Sequence, residues 1–166
     1  MRRLHLLRHA KSSWDEPGLP DRERPLAPRG RKASKRIGSY LRDEGIAPDV
    51  VLCSPSKRTR QTLKRLELDA CEVRIEERLY AASAGELLAA VNGLGDEVDS
   101  AMLIGHNPGL QELAVQLAGS GPDIPNMRAK FPTAALATLV FEGGWRELAP
   151  GGADLLAFTK PKQLAA

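Results

Sequence analysis

The sequence predicts an α/β protein, a three-layer α/β/α sandwich with a mostly parallel central sheet, on three observations. Short apolar runs recur along the chain, the first of them Leu4 to Ala10. Between the runs lie segments whose apolar residues recur at helical spacing, and such alternation of strand and helix calls for parallel strands with helices on both faces of a sheet. Chemically capable side chains stand at the ends of three runs: Arg8-His9, Ser54 with Arg58, and His106. In an open α/β sheet those carboxyl ends lie on one side, where ligands bind.

The elements follow in order. Leu4-His5-Leu6-Leu7-Arg8-His9-Ala10 is short and apolar enough to be a buried strand, the first central one of the sheet. His5, at even spacing from His9, is assigned a structural role. Lys11 to Pro28, rich in Pro, Asp and Arg, is too long for a bare connection and reads as a functional loop. A helix runs from about Arg29 to Glu44, with Ala33, Ile37 and Leu41 at helical spacing and Tyr40 adding to that face; Gly45 terminates it. Asp49 to Ser54 is the second strand, and Ser54-Pro55 opens a helix over about Lys57 to Leu66. Glu72 to Ile75 is a short third strand, and the loop Tyr80 to Ala84 leads into a helix near Gly85 to Val91. Ala101 to His106 is the fourth strand, and Asn107-Pro108 begins a helix through Leu117. Gly119 to Pro132 reads as a polar loop, then Ala134 to Phe141 and Trp145 to Phe158 as strands joined by the Gly143-Gly144 turn.

Composition bounds the function. A chain of 166 residues is most simply one domain and buries roughly 70% of its unfolded surface. The net charge of +3, from 24 basic and 21 acidic residues, is mild. No long basic run with interleaved aromatics calls for nucleic acid, whereas a mild positive bias suits an anionic substrate. Cys53 and Cys71 lack CxxC spacing and are expected to be buried free thiols in a reducing compartment. No stretch of 18 apolar residues predicts a membrane span. Met1-Arg2-Arg3 followed by leucines imitates a secretion signal, but the apolar region is too short and Arg8 interrupts it. A cytoplasmic protein is expected.

Taken alone, Arg8-His9 is as readable as a surface charge and a loop residue as it is functional. A strand-end imidazole can be a nucleophile, a general base or a metal ligand, and a guanidinium can grip a phosphate or carboxylate through two parallel bonds. Three such strand ends would bring Arg8, His9, Arg58 and His106 together, a set that handles phosphate. Arginines neutralise the non-bridging oxygens, one histidine attacks phosphorus, and the other donates to the transferring group. Phosphoryl transfer needs mainly positioning and positive charge, which this set supplies without a metal. Zinc held by histidines and Cys53 is disfavoured: the spacings match no zinc pattern, and the arginines would repel a cation.

Arg8-His9-Ala10 resembles the Arg-His-Gly signature of the histidine phosphatase superfamily, also called the phosphoglycerate mutase-like family. Ser54 to Thr62 resembles its second motif, a serine, an arginine four residues on, then Gln-Thr, and Gly105-His106-Asn107 resembles its third. The short length, Lys11-Ser12-Ser13-Trp14-Asp15, Arg24-Pro25-Leu26 and Gly105-His106-Asn107-Pro108 are most similar to the SixA branch of small phosphohistidine phosphatases. The resemblance implies a phosphoglycerate mutase-like fold, with residues 1–166 as a single histidine phosphatase domain. It makes His9 the nucleophile that becomes phosphorylated, places the phosphoryl oxygens on Arg8 and Arg58, and gives His106 the transferring group. It implies no cofactor and no metal. The substrate would be a phosphohistidine-bearing protein. The alternatives are a small phosphorylated metabolite, or a module that binds a phosphorylated ligand without turnover.

Attack requires a neutral His9 whose other nitrogen is held by an acceptor that the sequence does not name. Ala10 replaces the signature glycine, which is tolerable where the backbone is not left-handed. Many members supply a glutamate as proton donor soon after a leucine; here Leu79 is followed by Tyr80, Ala81 and Ala82, with Glu76, Glu77 and Glu86 displaced from that position. A phosphohistidine, whose leaving imidazole carries its own proton, needs less acid help than an alkyl phosphate. Asp15 and Asp21 are candidate proton donors if repulsion from the phosphate raises their pKa against the pull of Arg8 and Arg58; otherwise they cap turns or pair with Arg22 and Arg24. Ser12 and Asn107 are candidate phosphoryl-binding residues. Trp14 either walls the pocket or packs under the loop, and Lys35-Arg36 and Lys64-Arg65 are expected on solvated helix faces.

Overall fold

The computed structural model describes residues 1–69 and 71–164. Strand β1 (Arg2–Arg8) leads through the long loop into α1 (Pro28–Asp43) and β2 (Val50–Cys53). Then come α2 (Lys57–Leu66), β3 (Glu72–Ile75), α3 (Ala84–Asn92), β4 (Ser100–Gly105) and α4 (Gly109–Leu117). The chain ends with β5 (Ala118–Ser120), α5 (Ile124–Ala129), β6 (Leu136–Phe141) and β7 (Ala153–Thr159). The sheet order is β3-β2-β4-β1-β6-β7-β5. Pairings β1–β4, β2–β4, β2–β3 and β5–β7 are parallel, while β6 runs antiparallel to both β1 and β7. The mostly parallel α/β/α architecture follows the sequence prediction. No helix among the described residues is long and apolar enough to cross a membrane.

β1 is central because both its faces are covered. Leu4 and Leu6 join one core with Leu103, Leu87, Leu113 and Met127, under α3, α4 and α5. Leu7 joins the other with Met102, Ile104, Ile37, Leu41 and Leu66, under α1 and α2. A strand buried on both faces carries a continuous apolar run, which is why Leu4 to Leu7 shows no alternation with polar residues. His5 is buried within this run and hydrogen-bonds Thr138, its cross-strand partner on β6, at 3.1 Å. Cys53 is buried as expected, but Cys71 is only half-buried.

Two expectations about the C-terminal third are corrected. Gly119 to Pro132 is not a bare loop: β5 precedes its start and takes in its first residues, and α5 lies within it. Three residues that form a strand only by pairing with β7, and a six-residue helix whose one buried residue is Met127, carry too little periodicity to read. The last strand starts at Ala153 rather than Trp145. Trp145–Glu147 is a 3-10 turn whose indole is fully buried and donates to the Val98 carbonyl at 2.7 Å. Pro150 and Gly151, the latter at φ 75°, interrupt any extended backbone between.

The long loop is pinned back on itself. Ser13 N–H donates to Pro25 O at 2.8 Å and Ala27 N–H to Lys11 O at 2.9 Å, around an isolated bridge between Ser12 and Leu26. Two close approaches set the α1 side. A Cβ on Gly30 would lie 2.1 Å from Lys11 O, and one on Gly38 would lie 2.4 Å from Leu66 O. Glycine thus lets α1 lie directly against the end of α2. Gly38→Ala should lower stability by about 2 kcal/mol even after the better helix propensity of alanine, because a backbone oxygen cannot yield as a side chain can. The measurement is urea unfolding: the midpoint falls with the slope unchanged, and an unaltered midpoint would refute this close packing.

Candidate active site

Three strand ends do converge. His9 extends β1 by one residue, donating its N–H to Gly105 O at 3.1 Å, and His106 follows β4 directly. Arg58 comes from the first turn of α2, where Ser56 caps the helix. Thr62, one turn further along, accepts from Ala10 N–H at 3.0 Å and donates to Arg58 O at 2.7 Å, tying α2 to the strand end. The His9 and His106 rings lie 5.3 Å apart, centroid to centroid. His9, Arg58 and His106 are all buried, and Arg8 is half-buried.

The hydrogen bonds assign the tautomers. His9 Nδ1 lies 2.7 Å from the carbonyl of Ala10, which can only accept, so Nδ1 carries the proton and Nε2 a lone pair. This is the acceptor that the sequence left unnamed. Ala10 itself is not left-handed, so its methyl in place of glycine's hydrogen costs no backbone strain. His106 Nδ1 faces Arg58 Nη2 at 3.4 Å, and its Nε2 lies 2.7 Å from Ser54 Oγ. A guanidinium only donates, so Nδ1 is the acceptor and Nε2–H points to Ser54. Burial, with the neighbouring arginines, lowers His106 to about 4. His9 falls to about 3, chiefly through burial, with His106, Arg58 and Arg8 adding to the fall against the Ala10 hydrogen bond. Both rings are neutral near neutral pH.

The positive charge is held without full compensation. Arg8 donates to Phe131 O at 3.0 Å, but its buried Nε has no partner among the described residues. Burial and the charge of Arg58 pull the Arg8 pKa down. Arg58 is bound by Asp21, through the backbone carbonyl at 2.8 Å and the carboxylate at 2.9 Å. Asp21 also pairs with Arg24 at 3.0 Å and accepts from the Tyr80 hydroxyl. Arg24 in turn donates to Ser12 Oγ at 2.5 Å and lies over the Trp14 ring.

The peripheral expectations fare differently from the central four residues. Asp21 sits in the site, but its pKa moves the other way from a proton donor's. The Tyr80 hydrogen bond and then Arg58 and Arg24 hold it well below the ordinary carboxylate range, outweighing burial. The cations and the Tyr80 hydroxyl outweigh burial, and the expected pairing of a loop aspartate with Arg24 is present. Asp15 is exposed and none of the four central side chains binds it; only its backbone N–H is engaged, by Ser13 Oγ. Ser12 is occupied with Arg24. Asn107 is committed to the backbone at both ends, donating to Phe131 O and accepting from Gln111 N–H, so it positions the start of α4 instead of facing a ligand. Trp14 is exposed, with the Arg24 guanidinium over its ring, and so is not packed under the loop. Glu76 and Glu77 bind Arg78 and Arg22, and Glu86 caps α3, leaving the site without a glutamate among the described residues.

Sequence reasoning missed Tyr80 and the role of Ser54. Tyr80 stacks edge-on to His106 at 5.5 Å, and burial and the Asp21 charge push its pKa up, so it keeps its proton. The available signal was its place directly after Leu79, where relatives of the resembled family carry the acid.

Residues 4–91 match the family model described as histidine phosphatase superfamily, branch 1. An uncharacterized protein of Mycobacterium tuberculosis, Rv1276c, is 41% identical over 160 residues, covering 94% of this chain and 100% of its own length. A candidate phosphohistidine phosphatase SixA from Nakamurella multipartitia superposes with a TM-score of 0.87 at 31% identity, covering 96% of both chains. A candidate SixA from Agrobacterium tumefaciens gives 0.80 at 29%, covering 95% of this chain and 97% of its own.

The histidines fix an acid limit to stability. Buried His5, His9 and His106 have pKa values of about 4, 3 and 4, against 6.5 in the unfolded chain. Below 6.5 the unfolded chain takes up protons that the folded one refuses, so stability present above that pH is lost as pH falls toward 4. The urea midpoint should drop between pH 7 and pH 5, and the imidazole NMR signals of His9 and His106 should not titrate over the same range. A titration midpoint near 6.5 for either ring would show it to be solvated.

Proposed function

The chain belongs to the histidine phosphatase superfamily, and from that membership we propose that it is a phosphatase working through a covalent phosphohistidine on His9, with a protein-borne phosphohistidine as its substrate. The observation that carries this reading is the bond from His9 Nδ1–H to Ala10 O, which leaves a neutral Nε2 lone pair beside buried Arg58 and half-buried Arg8.

In the proposed sequence a dianionic phosphoryl group displaces the Asp21 carboxylate from Arg58 and supplies the anion that the unpartnered Nε of Arg8 lacks. Nε2 of His9 attacks phosphorus as the bond to the leaving nitrogen breaks. His9 becomes cationic during attack, and the Ala10 carbonyl on its Nδ1–H favours that charge. Ser54 can donate as well as accept, so once Arg58 turns from Nδ1 of His106 to the phosphoryl group the ring can take its other neutral tautomer: Nε2 gives up its proton to solvent and accepts from the Ser54 hydroxyl, and Nδ1 gains a proton from solvent and donates it in a hydrogen bond to a phosphoryl oxygen. Water then attacks phosphorus, releasing phosphate and restoring His9. Positioning and preorganised charge do this work.

The acidity of Asp21 favours a phosphohistidine over an alkyl phosphate as substrate. A carboxylate held ionised by Tyr80, Arg58 and Arg24 is a poor acid, whereas an imidazole leaving group brings its own proton. The likeness to candidate SixA proteins supports the same substrate class.

With a phosphohistidine-bearing protein as substrate and EDTA present, the wild type should turn over and form an acid-labile phosphoenzyme whose label maps to His9. His9→Ala should lose both by at least a thousandfold while keeping its fold. Label on His106, or loss of activity in EDTA that zinc or magnesium restores, would overturn the proposal.

A second measurement concerns the acid. In Asp21→Asn and Asp15→Asn, the ratio of kcat/KM for phosphohistidine to that for an alkyl phosphate should stay within about threefold of wild type. A ratio that rises tenfold in one variant would identify that aspartate as the proton donor.

A further inference from the structure

A second concentration of positive charge lies beside the catalytic residues and takes no part in the mechanism. It lines a cavity of about 420 Å³. Arg29, Lys32 and Arg36 form one wall; with Ala33 they stand at i, i+3, i+4 and i+7 on a single face of α1. Arg36 therefore does not sit on the merely solvated face expected from sequence. Lys11 enters from the strand end, Lys130 from the residue after α5, and Lys160 and Lys162 from the segment after β7.

Seven cations line this space, and no carboxylate does among the described residues. None of the seven belongs to an ion pair among the described residues. The remaining 17 of the 24 basic residues are outnumbered by the 21 acidic ones, so the excess charge of the chain resides here. Concave walls concentrate such a field.

The cavity opens at the same end of the sheet as the catalytic residues. Leu7 of β1 pairs with Leu136 of β6, which pairs with Thr159 of β7, so Lys160 lies two strands across from Arg8, about 10 Å away. Yet Arg8, His9, Arg58 and His106 do not line it.

We propose that this cavity is a binding site for a small anion bearing several clustered phosphate groups, separate from the catalytic centre. Five of the seven cations are lysines, point charges on flexible stems that can gather around phosphates in varied arrangements. No aromatic side chain lines the space to stack a nucleobase, so the fit is to a linear polyphosphate or a polyphosphorylated polyol rather than to a nucleotide. The volume lies within the range of small-ligand pockets. The proposal does not rest on turnover at His9.

Titration calorimetry of the full chain at 0.15 M salt tests it, with tripolyphosphate and inositol hexakisphosphate as the two probes. At least one probe should bind with one-to-one stoichiometry. The triple variant Arg29→Gln, Lys32→Gln, Arg36→Gln keeps good helix formers at two exposed positions and one half-buried one and should weaken that binding at least tenfold, while its circular dichroism and thermal midpoint without ligand match wild type. Arg58→Gln should change it less than threefold. Tighter binding of either probe assigns the linear or the polyol source. Binding lost in Arg58→Gln but kept in the triple variant would place the anion in the catalytic centre and overturn the proposal. So would the absence of binding by both probes, or equal affinity for a polyglutamate peptide of matched charge, which would make the cavity a dock for acidic protein.

Discussion

Two guanidinium groups brought side by side in a buried pocket demand an anion, and much of the active-site structure answers that demand. Burial and Arg58 depress the Arg8 pKa, and the Arg8 Nε finds no acceptor among the described residues. Asp21 supplies the counter-charge to Arg58, and its contacts run on through the loop that carries it: Asp21 holds Arg24, which holds Ser12 and covers Trp14. Tyr80 completes the cluster from the far side. A phosphoryl dianion entering between the arginines competes with Asp21 for Arg58, so under the proposed mechanism substrate binding and loop contacts are coupled.

Burial, with the same cations adding to it, keeps both imidazoles neutral, and hydrogen-bond geometry then selects their tautomers. The Ala10 carbonyl sits one peptide beyond His9, where the chain leaves the sheet. Arg58 and Ser54, on opposite sides of His106, fix the other ring. The scaffold for this is β1, buried on both faces and paired along most of its length with β4 and β6. Thr62 locks α2 to the strand end, and the close approach at Gly38 seats α1 against the end of α2.

The positive charge extends past Arg8 and Arg58 into the cavity between α1 and the segment after β7. Because β6 reverses direction and β7 restores it, the end of β7 returns to the edge of the sheet where β1 ends in Arg8 and His9, and delivers Lys160 and Lys162 there. A site for clustered phosphates beside a phosphoryl-transfer centre would let one anion alter the field felt by another about 10 Å away.

The sequence by itself determined the frame: strands β1 to β4, the helices between them, and the placement of Arg8, His9, Arg58 and His106 at one edge. Burial imposes a period of two or 3.6 on neighbouring residues, so an apolar run or stripe records its own environment locally. It also showed no glutamate directly after Leu79, leaving the loop aspartates, solvent or the substrate's own imidazole proton as the acid. Tertiary structure decided what depends on partners distant in the chain. The ionisation of Asp21 is set by Arg58 and Tyr80, 37 and 59 residues away, and no local pattern encodes that balance. Asn107 was drawn into positioning α4 by Phe131, Ser12 was taken up by Arg24, and Asp15 was left in solvent. β5 exists only because β7 is beside it, and Trp145 turns inward because Val98 offers its carbonyl. The cavity is the plainest case, since its cations come from segments spread between residues 11 and 162, and no local pattern in any one of them marks the space they line together.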